Sequence, residues 1–267
     1  MSDVVRIEDR GHVRVIRLNR PEKKNALSTE LAWAIVHAVE DAAHEENVWV
    51  IGITGTADAF CSGLDLTPEP RTESYTGLNP QDEYLDELGW VSRFPMVLRQ
   101  ECDKPIVAGI NGVAVGAGLG LAMACDLKIM TRSARLIAGY PRIGGSPDGG
   151  LSWTLLQAMG YEQALRFLLE NRTVMAEEAH ALGMVGEVVD DDRFAARFDE
   201  YCDSLTKLSP ITARLSKRVV RRAAQLPDME GHMRYELLSI GRAFGSNDGK
   251  EARRAFLEGR APEFKGS

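Results

Sequence analysis

Cysteine and histidine are scarce in this sequence. Its 267 residues include four cysteines and five histidines, and none of them shows the spacing of a metal-ligand motif. The cysteines lie among apolar or small residues, which suits reduced thiols; they are Cys61, Cys102, Cys125 and Cys202. We therefore expect neither a metal site nor a disulfide framework.

Positive charge is outnumbered by negative charge, with 32 lysines and arginines against 39 aspartates and glutamates. The net charge of -7 at pH 7 disfavours nucleic acid or an anionic membrane surface as a partner. The first residues, MSDVVRIEDRGHV, contain no apolar run of the kind that directs export, so we expect a cytoplasmic protein. A content of 44% hydrophobic and 27% charged residues is typical of a globular chain with a sizeable core.

One long stretch, residues 105–125, carries no charge. It is long enough for a membrane span, with Gly112, Gly116 and Gly120 spaced four apart as a packing face. A proline at its start and an Asn-Gly turn signal break it instead into short strands, a turn and a helix that begins near Gly118. N–H groups at such a helix start suit an anion or a developing oxyanion. Glycines that only permit tight packing are the alternative.

Strand and helix patterns alternate through the rest of the first half. Strands are predicted at residues 13–18 and 48–54, with a helix between them that has Ser28 as its N-cap. Residues 67–90 are rich in proline and acidic residues and are predicted to form a mobile flap. Helical patterns dominate after residue 152. This order predicts an α/β fold with buried strands.

Four segments, taken in chain order, resemble the signatures of one family. They are NRPEKKNALS, FCSGLDL, INGVAVGAGLGLAMACD, and PDGG with the later AEEAHALGMVGEVV. They are similar to the coenzyme A segment, the two oxyanion loops and the closing elements of the crotonase, or enoyl-CoA hydratase/isomerase, superfamily. The resemblance covers nearly the whole chain.

The resemblance implies a fold, an assembly and a substrate. The fold is an α/β spiral of β-β-α turns over residues 1–190, followed by a helical trimerisation region over residues 191–267. The assembly is a homotrimer or a dimer of trimers. The substrate is an acyl-CoA thioester, so coenzyme A belongs to the substrate and no separate cofactor is expected.

The resemblance also assigns roles to the two glycine-rich loops. In the family, one backbone N–H from each loop binds the thioester carbonyl oxygen, and these positions fall on Ser62 and Ala117. Other positions are then expected to bind substrate: Lys24, Ala26, Leu27, Gly63, Leu64, Asp65, Leu66, Gly116, Gly120 and Tyr140. For Lys24 the alternative is a solvated lysine. For Asp65 it is local hydrogen bonding within its own loop.

Two positions depart from the hydratases of the family. Those enzymes carry two glutamates that hold and activate a water, and the corresponding residues here are Gly120 and Tyr140. Because hydration needs a base for the water and an acid for carbon, the usual hydratase route is disfavoured.

Asp148, in the segment SPDGG, falls on a carboxylate that the family uses in two ways. It shuttles a proton in isomerases, the phenylacetate-pathway type among them, or acts as the nucleophile in aromatic acyl-CoA dehalogenases. We expect double-bond isomerisation with Asp148 as the shuttle. The alternatives are hydrolytic dehalogenation, weak hydration, a non-catalytic acyl-CoA binder or, for Asp148 itself, a turn-forming residue.

Three further features carry weaker signals. A basic helical face is interpreted as solvated rather than as a phosphate site; it comprises Arg214, Lys217, Arg218, Arg221 and Arg222. Tyr140 either donates a proton or shapes the acyl pocket. In the flap, Asp82, Glu83 and Tyr84 could supply a second acid.

Overall fold

The structure, a computed structural model, describes residues 4–67, 90–225 and 228–267. Its strands are β1 (Val5–Arg10), β2 (Val13–Leu18), β3 (Val50–Gly55), β4 (Ala59–Cys61), β5 (Ile106–Ile110), β6 (Val113–Val115), β7 (Leu127–Thr131), β8 (Arg135–Ile137), β9 (Thr173–Met175) and β10 (Glu187–Val189). Its helices are α1 (Thr29–His44), α2 (Trp90–Met96), α3 (Ala117–Ala124), α4 (Leu151–Met159), α5 (Tyr161–Glu170), α6 (Ala176–Ala181), α7 (Phe194–Leu205), α8 (Pro210–Ala223), α9 (Met229–Gly245) and α10 (Asn247–Glu258).

Within the described residues, the strands form two sheets. The large sheet has the order β1-β2-β3-β5-β7-β10, with β1 antiparallel to β2 and the other neighbours parallel. The small sheet has the order β4-β6-β8-β9, with only β8 and β9 antiparallel. Successive strands β3 to β8 alternate between the sheets, and helices follow the pairs. This is the predicted spiral of β-β-α turns, and the α/β fold is confirmed.

The uncharged stretch forms the predicted strand, turn and helix. It gives β5, β6 and then α3, which begins at Ala117. All eight residues of α3 are buried, which explains why the helix is apolar on every side. None of the helices among the described residues is both long enough and apolar enough to cross a membrane.

Two glycines of the large sheet make room for the helical part of the chain. A Cβ on Gly52 of β3 would lie 2.8 Å from the Phe198 ring, and a Cβ on Gly109 of β5 would lie 2.7 Å from the same ring. Phe198 belongs to α7 and is 2% exposed. The first helix after β10 therefore packs directly onto the sheet.

Two asparagine side chains connect three turns. Asn25, which is fully buried, donates from Nδ2 to the carbonyls of Thr56 at 3.1 Å and Ala59 at 2.8 Å. Asn111 donates from Nδ2 to the same Ala59 carbonyl at 3.3 Å and accepts from the Gly55 N–H at 3.0 Å. The turns after β2, β3 and β5 therefore meet at one carbonyl.

The basic face of α8 is docked on the core. Lys217 Nζ lies 2.7 Å from a carboxylate oxygen of Asp126 and is mostly buried. Arg218 and Arg221 both pair with Asp103. The interpretation as a solvated face is wrong for Lys217 and Arg221, which are mostly buried against these carboxylates; the side chain of Arg218 is 39% exposed.

Candidate active site

The two glycine-rich loops lie side by side because the strands before them are parallel neighbours. In β4 and β6, Ala59 pairs with Val113 and Cys61 with Ala114, so the residues that follow both strands leave the same edge of the sheet. Gly63 marks the contact. Its φ is +96°, and a Cβ there would lie 2.8 Å from the Val115 carbonyl oxygen and 4.0 Å from the Ala117 nitrogen.

Both hydrogen-bond donors of Ser62, its backbone N–H and its hydroxyl, already have partners. Its N–H donates to the Lys24 carbonyl at 3.0 Å, and its hydroxyl donates to the Lys23 carbonyl at 3.1 Å. A ligand could take this N–H only by breaking the bond to Lys24. The bond to Lys24 argues against the predicted role of Ser62 as the first oxyanion donor. Ser62 supports the turn in which Lys24 and Asn25 have φ of 51° and 56°.

Leu64 offers the unpaired N–H of this loop. The groups beside it are bonded, since Leu27 N–H donates to the Gly63 carbonyl at 2.7 Å and Asp65 N–H to the Leu27 carbonyl at 2.9 Å. Neither the Leu64 N–H nor the Ala117 N–H, at the first position of α3, has a hydrogen-bond partner in the part of the chain that the structure describes. Each loop thus includes an N–H that a ligand could bind.

The glycines at the start of α3 serve different purposes. Gly116 precedes the helix at φ +53°, and its carbonyl accepts the first helical bond, from Gly120 N–H at 2.9 Å. A Cβ on Gly118 would lie 2.5 Å from the Cys61 carbonyl oxygen, so the packing interpretation is confirmed for Gly118. The positive end of the α3 dipole lies at the unpaired Ala117 N–H and favours negative charge there.

Asp65 is tied to the first segment by an ion pair. The Arg20 Nη2 lies 2.8 Å from Asp65 Oδ2, and Arg20 also donates to the Ala26 carbonyl at 2.6 Å. The expected local bond is present too, from the Thr67 N–H to Asp65 Oδ1 at 3.0 Å. Hydrogen bonding from the Arg20 guanidinium lowers the pKa of Asp65 to about 2. Asp65 therefore holds two loops together and is a poor proton acceptor.

Asp65→Asn should lower the free energy of unfolding by about 1 kcal/mol near neutral pH, a modest value because the pair is close to solvent. The native pKa of about 2 lies below the ordinary 3.8. The stabilisation is thus complete above the ordinary pKa and is lost as the pH falls toward the native one. Urea unfolding at several pH values should show the difference between wild type and variant narrowing below about pH 4. The exposed Asp192→Asn serves as the control; a pH-independent Asp65 difference would contradict the ion-pair explanation.

Tyr140 and Asp148 form a hydrogen-bonded pair. The phenol donates to Asp148 Oδ1 at 2.8 Å, and Tyr140 is only 6% exposed. Burial, and then the Asp148 charge, raise the pKa of Tyr140 well above its usual range, so the phenol stays neutral. The Asp148 carbonyl also accepts from the Leu151 N–H at 3.0 Å, so the turn interpretation of Asp148 holds alongside the pairing.

The loop that carries Asp148 packs against α3 at Gly120, about one helical turn from the Ala117 N–H. A Cβ on Gly120 would lie 3.6 Å from the Gly149 carbonyl oxygen and 3.8 Å from the Phe94 ring. The structure therefore gathers Leu64, Ala117 and Asp148 at one end of α3.

The remaining predicted positions differ in exposure. Leu64 and Leu66 are 43% and 64% exposed, so their side chains are available to an apolar ligand. Ala26 and Leu27 are buried, and their N–H and carbonyl groups are already hydrogen-bonded within the protein. Lys24 is exposed. The flap candidates Asp82, Glu83 and Tyr84 lie outside the described residues.

Known proteins are similar to this chain over nearly its whole length. The chain matches the family described as enoyl-CoA hydratase/isomerase over residues 8–267. It is 31% identical over 258 residues to the 1,2-epoxyphenylacetyl-CoA isomerase of Escherichia coli, covering 95% of each chain. It is 30% identical over 266 residues to the (E)-benzylidenesuccinyl-CoA hydratase of Thauera aromatica, covering 98% of this chain and 99% of the relative.

The fold is also similar to solved structures. The crystal structure of an enoyl-CoA hydratase from Bacillus anthracis matches with a TM-score of 0.88 at 27% identity, covering 99% of this chain and 100% of that one. Relatives by name thus include both isomerases and hydratases.

Proposed function

Because this chain belongs to the enoyl-CoA hydratase/isomerase family, we propose that it moves a double bond within an enoyl-CoA thioester. In this proposal the thioester carbonyl oxygen accepts from the N–H groups of Leu64 and Ala117, and Asp148 transfers the proton. Leu64 takes the place first assigned to Ser62, because the Ser62 N–H is bonded to the Lys24 carbonyl.

The proposal rests on the number of carboxylates in the three segments that form the candidate site. The segments 60–66, 116–120 and 139–150 contain two, Asp65 and Asp148. Asp65 is neutralised by Arg20, which leaves Asp148. Isomerisation needs one carboxylate, since the group that removes the proton can return it, whereas hydration calls for a second acid-base group to handle the water.

The proposed step conserves all atoms. From a 3-enoyl thioester, Asp148 removes a proton at C2, and the electron pair moves onto the carbonyl oxygen to give a dienolate. The two N–H groups stabilise that oxygen, each contributing about 3 kcal/mol in comparable sites. The protonated Asp148 then delivers its proton to C4, which leaves the double bond between C2 and C3.

A substrate screen tests this reaction. The protein should be offered saturated, 2-enoyl, 3-enoyl and halogenated aromatic acyl-CoA thioesters, and product mass and double-bond position read together. Isomerisation leaves the mass unchanged and moves the bond, as we expect. Addition of one water would contradict the proposal in favour of hydration, replacement of halogen by hydroxyl in favour of dehalogenation, and binding without any turnover in favour of a non-catalytic binder.

We also propose a homotrimer or a dimer of trimers. An apolar stripe lies on α9 and is exposed in the single chain, with Met229, Met233, Leu237, Ile240 and Phe244 all at least 49% accessible. An apolar stripe this long is typical of a surface that another subunit covers. Sedimentation velocity should give three or six times the chain mass of 29.4 kDa; a monomer would contradict this assembly.

A further inference from the structure

The hydrogen bond between Tyr140 and Asp148 does more than close a turn. We infer that Tyr140 is a positioning residue, whose phenol holds the Asp148 carboxylate at a defined place relative to the Leu64 and Ala117 N–H groups. This inference rests on the proposed function, since it explains how a single carboxylate on a loop could be placed well enough to move a proton.

The phenol holds the side chain of Asp148. Its hydroxyl donates to Oδ1 at 2.8 Å. The main chain of Asp148 is held separately, because its carbonyl accepts from the Leu151 N–H at 3.0 Å. Since an aspartate has two side-chain torsions, these two bonds together restrain the carboxylate as well as the backbone that carries it.

Tyr140 is itself anchored beside the N–H groups. It follows Gly139, whose N–H donates to Asn171 Oδ1 at 2.7 Å. A Cβ on Gly139 would lie 2.8 Å from the Val115 side chain and 3.6 Å from the Gly116 nitrogen. A short path of contacts therefore runs from the start of α3 through Tyr140 to Asp148.

The loop between the two residues offers little support of its own. Residues 141–146 are all exposed, whereas Tyr140 is buried. A loop this open gains little from packing and would let its end vary by an ångström or more. The buried phenol removes that freedom. Because it stays neutral at every working pH, it remains a donor throughout.

Tyr140→Phe tests the inference with a minimal change, because the ring is kept and only the hydroxyl is lost. We expect kcat for double-bond migration to fall by about 10²-fold, the size of effect that follows a misplacement of about 1 Å, with KM within about twofold. Tyr161→Phe, at a tyrosine that is 73% exposed, should behave as wild type. An unchanged kcat in Tyr140→Phe would overturn the inference.

A double-mutant cycle separates positioning from direct catalysis. If Tyr140 acts through Asp148, adding Tyr140→Phe to Asp148→Asn should change the residual rate by less than about twofold. Losses that multiply would show that the phenol acts on the substrate independently, and would overturn the positioning role.

The pair can also be tested without any turnover. The chain contains six tyrosines, and in protein labelled with 3-fluorotyrosine the ¹⁹F resonance that disappears in Tyr140→Phe identifies Tyr140. That resonance should shift in Asp148→Asn and stay in place in Asp192→Asn. If the Tyr140 resonance shifts in Asp148→Asn but the wild-type protein isomerises no substrate, the hydrogen bond between the two residues is supported and the proposed function is refuted. If the wild-type protein is an active isomerase and the resonance does not shift, only the hydrogen-bonded pair is refuted.

Discussion

Asp148→Asn should reduce kcat for double-bond migration by about 10²-fold or more, the usual contribution of a general acid-base group. The amide is nearly the size of the carboxylate. Its oxygen can still accept from the Tyr140 phenol, which lies 2.8 Å from Oδ1 of Asp148 in the wild-type structure. It cannot take up a proton at any working pH. The thioester should therefore bind as before, so that the loss appears in kcat while KM stays nearly constant.

The measurement is steady-state kinetics on a 3-enoyl-CoA, together with calorimetric binding of a saturated acyl-CoA. Asp192→Asn, an exposed carboxylate far along the chain, controls for the loss of one charge. Equal rates in Asp148→Asn and wild type would refute the shuttle. Oxygen from labelled water appearing in Asp148 after one turnover would instead identify a nucleophile.

Ala117→Pro should lower kcat/KM by about 10²-fold to 10³-fold, since it removes one of the two N–H donors. Proline has no N–H, and the first position of a helix is where proline is best tolerated. Ala117 occupies that position in α3. The ring also fills the space that the carbonyl oxygen would occupy, so substrate binding should weaken along with catalysis.

Ala117→Gly is the matched variant, because it alters the side chain and keeps the N–H. We expect its kcat/KM to stay within about tenfold of wild type. Circular dichroism and thermal unfolding should show that Ala117→Pro remains folded. If a folded Ala117→Pro enzyme retained wild-type kcat/KM, the oxyanion would have to be stabilised elsewhere.

Strands with a full pattern could be predicted from the sequence, whereas of the three-residue strands only β6 is indicated, by the Asn-Gly turn before it. The prediction for residues 13–18 coincides with β2, and Ser28 is the N-cap of α1, with its hydroxyl accepting from the Leu31 N–H at 3.2 Å. In contrast β4, β8 and β9 have three residues each. Three residues hold too little periodicity to indicate a strand, and their pairing depends on partners distant in sequence.

The site shows the same division. Loop positions could be placed from the resemblance, but the choice between Ser62 and Leu64 depends on which N–H is free. The Lys24 carbonyl decides that, and it belongs to another segment. Likewise, the charge pattern of α8 is that of a solvated face, and only the positions of Asp103 and Asp126 on the folded core reveal otherwise.

The shared carbonyl of Ala59 has a consequence for local unfolding. Asn25 and Asn111 both donate to it. Separating any one of the three turns from the others therefore leaves an amide or a carbonyl unpaired in the interior. Each group left unpaired costs about 1–3 kcal/mol. The three turns therefore form one cooperative unit, which opens as a whole or stays closed. Fraying of the first segment, whose Leu27 is bonded to the loop of Leu64, is therefore opposed by bonds that touch neither Leu64 nor Ala117.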